Sequence, residues 1–457
     1  MMIGFTFIYT VFPLPFTLIE LKPLTYNLKI PIETFFQQFL LTNVLTLTFY
    51  LYRKTTHPNN WLKKILSKTS FYCQLSNTEI WISAIIGLFF TYYLYFIYGR
   101  WQNTLQQKSS LAIIAGFCVP FLWMPLMIPF RRLRYLNDKK VSGQNVAIIL
   151  FSILVTIISI ATNVRSILFT GVMMIILLYF VGFLFNYYNI KKEFSKTKLI
   201  TILFSIILAG GPLIDLGYAM VIVRQERYDT KTSDFLKKTI EIYQDKDKLE
   251  LAKRISLREN NMASNSDSWD ESYLNNFLLN RYCNYKIADN CLYYGEKLGY
   301  SSPKMRENLK FQIFAFVPDV MLKIFGITPS LKREVSSYSL TDYLYSLASK
   351  NSSVKGSFIL GNLSGLGMSL WGYWYLVLII PLFYCIFFLF DSLALVKNKK
   401  IFFSFFFFVN VVEIFNYFNN HHVYTYEIRW ILRTYIEGII FFLLTIKIIK
   451  TISKVIS

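Results

Sequence analysis

Charged residues are scarce in this chain. They make up 16% of its 457 residues, whereas soluble domains carry about 25%. Hydrophobic residues make up 54% and aromatic residues 18%. This balance excludes a soluble enzyme and a disordered chain, and it is typical of a protein whose helices are surrounded by lipid.

Histidine is also rare. The three histidines are His57, His421 and His422, and no cysteine or carboxylate accompanies them at metal-ligand spacing, so the sequence predicts neither a metal site nor a cofactor. The phosphate-binding loop of ATPases and the nucleophile elbow of serine hydrolases are missing too. Cys283 and Cys291 lie close together in a polar segment, and their spacing leaves a disulfide open.

What the chain does have is a series of long apolar runs. Each is long enough to cross the roughly 30 Å hydrocarbon core of a bilayer as a helix. We therefore predict an all-α integral membrane protein with about ten transmembrane helices. The runs are residues 1–19, 35–52, 80–98, 109–130, 141–164, 166–190, 199–223, 356–390, 401–418 and 430–446.

The distribution of basic residues predicts the orientation. The net charge of +21 comes largely from lysines and arginines in alternate loops, which the positive-inside rule places in the cytoplasm. Both termini are then cytoplasmic, and nucleic acid is not a predicted partner. Residues 1–223 hold helices 1–7, residues 224–355 form one large extracytoplasmic (periplasmic) loop domain, and residues 356–457 hold helices 8–10. The first half of run 356–390 is rich in glycine and indicates a loosened or re-entrant entry into its helix.

Charged groups at the outer side of a membrane are costly and are functional candidates. Six arginines lie there, and the guanidinium fork suits a diphosphate because it binds phosphate bidentately. The predicted diphosphate-binding residues are Arg165, Arg224, Arg227, Arg281, Arg429 and Arg433. Arg429, Arg433 and Glu437 are four apart and so share a helical face. The alternatives are interface anchoring for Arg429 and Arg224, an ion pair of Arg433 with Glu437 or Glu413, and one between Arg281 and Asp289.

Two segments carry a family resemblance. Residues 355–374 read KGSFILGNLSGLGMSLWGYW and residues 280–294 read NRYCNYKIADNCLYY. With the layout of spans and one large outer loop, they resemble the Wzy-type O-antigen or capsule repeat-unit polymerases. The resemblance implies a lipid-to-glycan glycosyltransferase fold in the bacterial cytoplasmic (inner) membrane, with membrane lipid around it. The implied substrate is an undecaprenyl-diphosphate-linked oligosaccharide, and a chain-length regulator protein is a candidate partner.

Transfer to a sugar hydroxyl needs a general base. The candidates are His421, His422 and Glu427 in the last outer loop and Asp289 in the large one. An O-antigen ligase is an alternative, although the histidine that such enzymes carry in the outer loop is missing here. A flippase for lipid-linked oligosaccharides is another, although the chain shows no internal repeat.

Overall fold

The computed structural model describes residues 17–57, 60–98, 110–130, 133, 144–162, 164–189, 191, 212, 215–220, 222–223, 232–251, 269–271, 273–274, 280, 285–317, 322, 328–397, 400–410, 412 and 424–456. These residues are mostly helical, as predicted, with one short hairpin among them.

The chain divides into two compact units. Unit 1 combines Met1–Leu62, Leu257–Ser392 and Ile414–Glu437, and unit 2 combines Lys63–Ser256, Leu393–Glu413 and Gly438–Ser457. Each unit therefore gathers segments that are far apart in the sequence. The predicted boundaries at residues 223 and 355 follow hydropathy alone and stay a prediction.

Unit 1 contains nine described helices and the start of a tenth. They are α1 (Pro31–Thr55), α2 (Trp61–Leu66, divided between the units), α8 (Tyr285–Leu298), α9 (Pro303–Phe314), α10 (Pro329–Ser336), α11 (Leu340–Ser349), α12 (Leu363–Trp371), α13 (Tyr375–Asp391), α15 (Tyr424–Arg429) and the first residues of α16 (Tyr435–Ile456). Helix α8 packs against α1, α11 and α12.

Local sequence explains where these helices begin. Proline occupies the first position of α1, α9 and α10, where its missing N–H costs no hydrogen bond. Ser339 and Asp342 form a capping box at the start of α11. The Asn362 side chain accepts from two backbone N–H groups at the start of α12. Gly365 of α12 permits the close approach of α8, because a Cβ there would overlap Cys291.

Both ends of α1 are held by carboxylates from distant segments. At its carboxyl end, Asp391 lies 3.0 Å from His57 Nδ1 and accepts a 2.8 Å hydrogen bond from the Tyr52 hydroxyl. The amino end is held by Asp289, as detailed below. Helix α1 is thus fixed against residues that follow it by more than 250 positions.

Unit 2 contains the remaining described elements. They are α3 (Asn77–Tyr92), α4 (Ser110–Cys118), α5 (Asn145–Ala161), α6 (Arg165–Leu184), α7 (Thr232–Gln244), β1 (Ala394–Lys397), β2 (Lys400–Phe403), α14 (Phe405–Val409) and most of α16. A π-helical turn, Tyr93–Ile97, continues α3, and a 3₁₀ segment, Val119–Met127, continues α4.

Proline and phenylalanine shape unit 2. Pro120 and Pro125 lack the N–H that an α-helix needs, and the chain forms 3₁₀ turns over that stretch. The hairpin β1–β2 is antiparallel, with Val396 opposite Ile401. It leads into four consecutive phenylalanines, 405–408, all buried. These phenylalanines are part of the described interior of the unit, together with aliphatic side chains such as Leu177 and Leu178.

Two described helical stretches are long and apolar enough to cross a membrane. Asn77–Ile97 has 21 residues with mean hydropathy 1.9, and Leu363–Asp391 has 29 residues with mean hydropathy 2.2. The second stretch is bent: Gly372 has φ of +58° and separates α12 from α13 through a 3₁₀ turn. Helix α12 is buried over residues 363–370, so the exposed apolar side chains of this stretch, such as Val377 and Leu378, belong to α13.

Candidate functional site

Buried carboxylates, lysine and side-chain amides are confined to one unit of the described chain. Among the described residues, every buried Asp, Glu, Lys, Asn and Gln lies in unit 1, whereas the buried polar residues of unit 2 are serines and threonines. A buried charge or amide is costly unless it is paired or has a function. Unit 1 therefore carries the groups best suited to chemistry.

The ten predicted site residues are unequally covered by the structure. Arg224, Arg227, Arg281, His421 and His422 lie outside the described residues. Arg165 is the first residue of α6, and the structure describes its backbone but not its side chain. The remaining four, Asp289, Glu427, Arg429 and Arg433, all lie in unit 1.

Asp289 is fully buried on α8 and holds the start of α1. Its carboxylate accepts hydrogen bonds from the backbone N–H groups of Lys29 (2.9 Å) and Ile30 (2.8 Å) and from the Thr34 hydroxyl (3.4 Å). A negative charge here satisfies backbone donors at the helix N-terminus and is favoured by the helix dipole. These contacts suit a helix cap.

Lys286 completes this buried arrangement. Its ammonium lies 3.1 Å from Asp289 Oδ2 and donates to the Asn27 carbonyl, and its side chain is 1% exposed. Both carboxylate oxygens of Asp289 thus accept hydrogen bonds. The alternative pairing of Asp289 with Arg281 is not needed to balance its charge, because Lys286 does so.

Arg429 and Arg433 meet at Phe316, two residues beyond the end of α9. The Arg429 guanidinium carbon lies 5.4 Å from the centroid of the Phe316 ring, and Arg433 Nη1 donates to the Phe316 carbonyl at 3.1 Å. Arg433 Nε also donates to Glu437 Oε1 at 2.8 Å. Two of the six predicted arginines are therefore brought together.

A π-helical turn, Trp430–Thr434, lies between α15 and α16 and contains Arg433. Trp430 anchors it, with ring centroids 4.9 Å from both Phe390 and Tyr435. Such turns are rare and occur often at functional sites. Here the turn joins the two arginines on a helix that the aromatic contacts hold in place.

The end of α9 attracts a third cation. Lys332 Nζ donates to the Val317 carbonyl at 3.0 Å, one residue beyond Phe316. Backbone carbonyls at a helix C-terminus carry partial negative charge and favour cations. Three positive side chains thus collect around two adjacent residues, and the Arg433 side chain remains 39% exposed.

The Arg433 guanidinium has unused donors. Arginine carries five N–H donors, and Arg433 makes two hydrogen bonds, while Arg429 makes only the ring contact among the described residues. The pair thus combines fixed position with free donors. An anion with several oxygens, such as a phosphate or diphosphate, fits that combination.

Glu427 lies on α15 and is completely buried. Within the part of the chain that the structure describes, neither carboxylate oxygen has a hydrogen-bond partner. Burial raises the pKa of this carboxyl well above its usual value. It is a group able to hold or accept a proton, on the same short helix as Arg429.

Sequence reasoning missed a hydrogen-bonded chain between α1 and α13. The Tyr375 hydroxyl donates to Gln37 Oε1 at 2.7 Å, and Gln37 Nε2 donates to Glu33 Oε1 at 2.7 Å. The signal was two adjacent glutamines, Gln37 and Gln38, inside an apolar run. Phe316 was missed as well, because nothing local marks a residue as the partner of an arginine more than a hundred positions away. Lys332 was missed too, since its contact is with the Val317 carbonyl rather than with a charged side chain.

Two further features concern metals and thiols. Among the described residues, no group of three or more His, Cys, Asp and Glu side chains could hold a metal ion. Cys291 is a free, fully buried thiol, and burial raises its pKa to about 12. Cys283, the other cysteine of the disulfide that the sequence leaves open, lies outside the described residues.

Comparison with known proteins finds no match: no protein-family model, no curated protein and no solved structure is similar to this chain.

Proposed function

We propose that this protein polymerises lipid-linked oligosaccharide repeat units into a surface polysaccharide, by glycosyl transfer from undecaprenyl diphosphate. The observation that carries the proposal is the meeting of Arg429 and Arg433 at Phe316, with guanidinium donors left over. The resemblance of residues 280–294 and 355–374 to the Wzy-type polymerases supports it. The protein is proposed to lie in the bacterial inner membrane with both termini in the cytoplasm.

Exposed apolar side chains support the membrane location. Helix α5 exposes Val146, Ile149, Leu150 and Ile153, each more than half exposed. These residues recur every three or four positions and so form a stripe along one face. Soluble proteins rarely leave contiguous patches of this kind uncovered, and the proposed ten spans would place the stripe in lipid.

The proposed donor site is the arginine pair. In the transfer, the acceptor hydroxyl oxygen bonds to the anomeric carbon of the donor sugar, and the bond from that carbon to the diphosphate oxygen breaks. The electron pair leaves on the diphosphate. Arg429 and Arg433 stabilise this developing charge more strongly than the ground state, which is how fixed cations accelerate a reaction.

The test is the glycan ladder of cells that carry arginine variants in place of the wild-type gene. Deleting the gene should leave single repeat units and no long chains. Arg433→Ala should lower polymerisation about 100- to 1,000-fold, and Arg165→Ala should also abolish long chains. Arg433→Lys should rescue poorly, because an ammonium cannot make the forked phosphate contact.

Two controls separate binding from structure. Glu437→Gln removes the ion pair of Arg433 but keeps the guanidinium, so long chains should persist. Arg333→Ala removes an exposed arginine of α10 and should have no effect. An unchanged chain-length distribution in Arg433→Ala would disprove the site at Phe316, an unchanged one in Arg165→Ala would disprove the separate role of Arg165, and an unchanged ladder after gene deletion would disprove the function.

The same experiment distinguishes a flippase. Loss of a flippase would trap the lipid-linked repeat unit on the cytoplasmic leaflet, whereas loss of a polymerase leaves single units on the outer side. Single units attached to the cell surface after deletion therefore favour the polymerase, and their confinement to the cytoplasmic side favours transport.

A further inference from the structure

Glu427 is the one described carboxyl that is buried with no partner on either oxygen. Buried polar atoms are paired in the great majority of cases, and an exception calls for an explanation. The other buried carboxylates among the described residues show the contrast. Asp289 and Asp342 each accept several hydrogen bonds, including ones from backbone N–H groups.

Glu427 is not used as a helix cap or an ion-pair partner. It lies in the first turn of α15, where a carboxylate commonly accepts a backbone N–H, but it accepts none. The two arginines that follow it are directed elsewhere, Arg429 to the Phe316 ring and Arg433 to Glu437 and the Phe316 carbonyl. Neither of the common structural roles accounts for this residue.

Tyr424, on the same short helix as Glu427, contacts the glycine-rich helix α12. Tyr424, three residues earlier and so on the same side, donates from its hydroxyl to the Leu363 carbonyl at 3.0 Å. Its ring centroid lies 5.1 Å from that of Trp371. Gly367 leaves the space for this contact, since a Cβ there would lie 2.5 Å from the Tyr424 hydroxyl.

None of the described residues around Glu427 brings a compensating charge to it. Helix α12 has no ionisable side chain in its sequence. On α15 itself, the residue on the same face as Glu427 is Tyr424, whose side chain is a phenol. Helix α9 also packs against α15, but its ionic residues Lys304, Glu307 and Lys310 are exposed, and Arg306 donates to the Leu370 carbonyl. Burial raises the pKa of Glu427, which favours the protonated form of the carboxyl.

We infer that Glu427 accepts the proton of the acceptor-sugar hydroxyl during transfer, an inference that rests on the proposed function. The carboxyl first gives its resting proton to water. As the acceptor oxygen bonds to the anomeric carbon, its proton passes to the Glu427 carboxylate. The bond to the diphosphate breaks, and its electron pair leaves on the diphosphate oxygen. Glu427 is then neutral again, and the cycle repeats.

This assignment agrees with the requirements of general base catalysis. A base whose proton affinity is raised by burial is matched to proton transfer near neutral pH. Asp289, in contrast, has its oxygens occupied by Lys29, Ile30, Thr34 and Lys286, so it has little capacity left for a substrate.

The test compares Glu427→Gln with Glu334→Gln in the full-length protein. Membranes containing each variant are supplied with the lipid-linked repeat unit purified from cells lacking this gene, and the initial rate of polymerisation is measured against pH. Glu427→Gln keeps the shape of the side chain but cannot accept a proton, so the rate should fall about 100- to 10,000-fold. Glu334 is exposed on α10, and its substitution should leave the rate unchanged.

The pH profile separates a catalytic role from a structural one. A base must be ionised to act, so the wild-type rate should rise as pH rises through the raised pKa of Glu427. The residual rate of Glu427→Gln should lack this rise. Glu427→Asp, which restores a carboxylate, should retain both the rise and part of the rate. A packing role alone would lower the rate of every variant without changing the profile.

Each outcome decides one point. Long polymer made at the wild-type rate by Glu427→Gln overturns the role of Glu427 and leaves the proposed function standing. No polymerisation by wild-type membranes overturns the proposed function itself. If Glu427→Gln fails to accumulate, the wild-type and Glu427→Asp profiles decide, and a rate that does not rise with pH in either one overturns the inference.

Discussion

The two units differ in the kinds of side chain that their described residues bury. Described residues in unit 1 bury charges and amides whose partners lie far away in the sequence, such as Asp289 with the amides of Lys29 and Ile30. Unit 2 buries aromatic rings, such as Phe71, Phe406 and Phe442, which pack within 6 Å of one another by ring centroid. Apolar packing tolerates change gradually, whereas a broken buried charge pair leaves an uncompensated charge.

The largest expected effect comes from breaking the buried pair of unit 1. Asp289→Asn leaves Lys286 charged and unpaired in the interior, which should lower the free energy of unfolding by about 3–5 kcal/mol. The thermal midpoint of the purified protein measures it. Glu334→Gln on the exposed face of α10 is the control and should change stability by less than about 0.5 kcal/mol. Equal midpoints for the two variants would show that the buried pair contributes nothing.

A smaller effect is expected from overpacking unit 2. At Gly87 of α3 a Cβ would overlap the backbone of Leu122, so Gly87→Ala should destabilise by about 1–3 kcal/mol. Gly116 of α4 has no atom within 4 Å of its Cβ position. Gly116→Ala should therefore be neutral or stabilise by up to about 1 kcal/mol, because alanine favours helix over glycine. The same assay tests both, and identical shifts would contradict the close contact.

The smallest change in stability is expected from substituting a partly exposed charged residue of unit 2, Asp245. Asp245 accepts from the Lys248 backbone N–H at 3.1 Å, and this bond, with the Lys248 ammonium, lowers the pKa of Asp245. The cap is therefore present above the ordinary aspartate pKa of about 3.9 and is lost as pH falls below it. Asp245→Asn should speed amide hydrogen exchange in residues 246–250 at pH 7 and leave the thermal midpoint unchanged. A lowered midpoint would show that surface charge matters more in unit 2 than the comparison implies.

Local patterns in the sequence predict part of this structure. The apolar run 80–98 corresponds to the helical stretch Asn77–Ile97, because helix formation in such a run depends on near neighbours. The spacing of Arg433 and Glu437 places them on one face, and the structure pairs them at 2.8 Å. That pair is the alternative role that the spacing left open for Arg433, and it coexists with the contact to Phe316.

Long-range contacts could not be predicted in the same way. Phe316 joins Arg433 across 117 positions, and no periodicity encodes a meeting of that kind. The break at Gly372 was only partly indicated, since glycine density marks a loosened segment but does not give the residue with positive φ. Glu427 was one of four candidate bases in the sequence, and only its burial without a partner distinguishes it.

The tie between Asp289 and the start of α1 affects the order of assembly. Residues 29 and 30 leave the ribosome some 260 positions before the carboxylate that fixes them. At about 5–20 residues per second, that interval lasts roughly 10–50 s. During synthesis, α1 is therefore present for this interval without the Asp289 carboxylate at its N-terminus. The surroundings of the nascent chain have to keep α1 helical until residue 289 has been made.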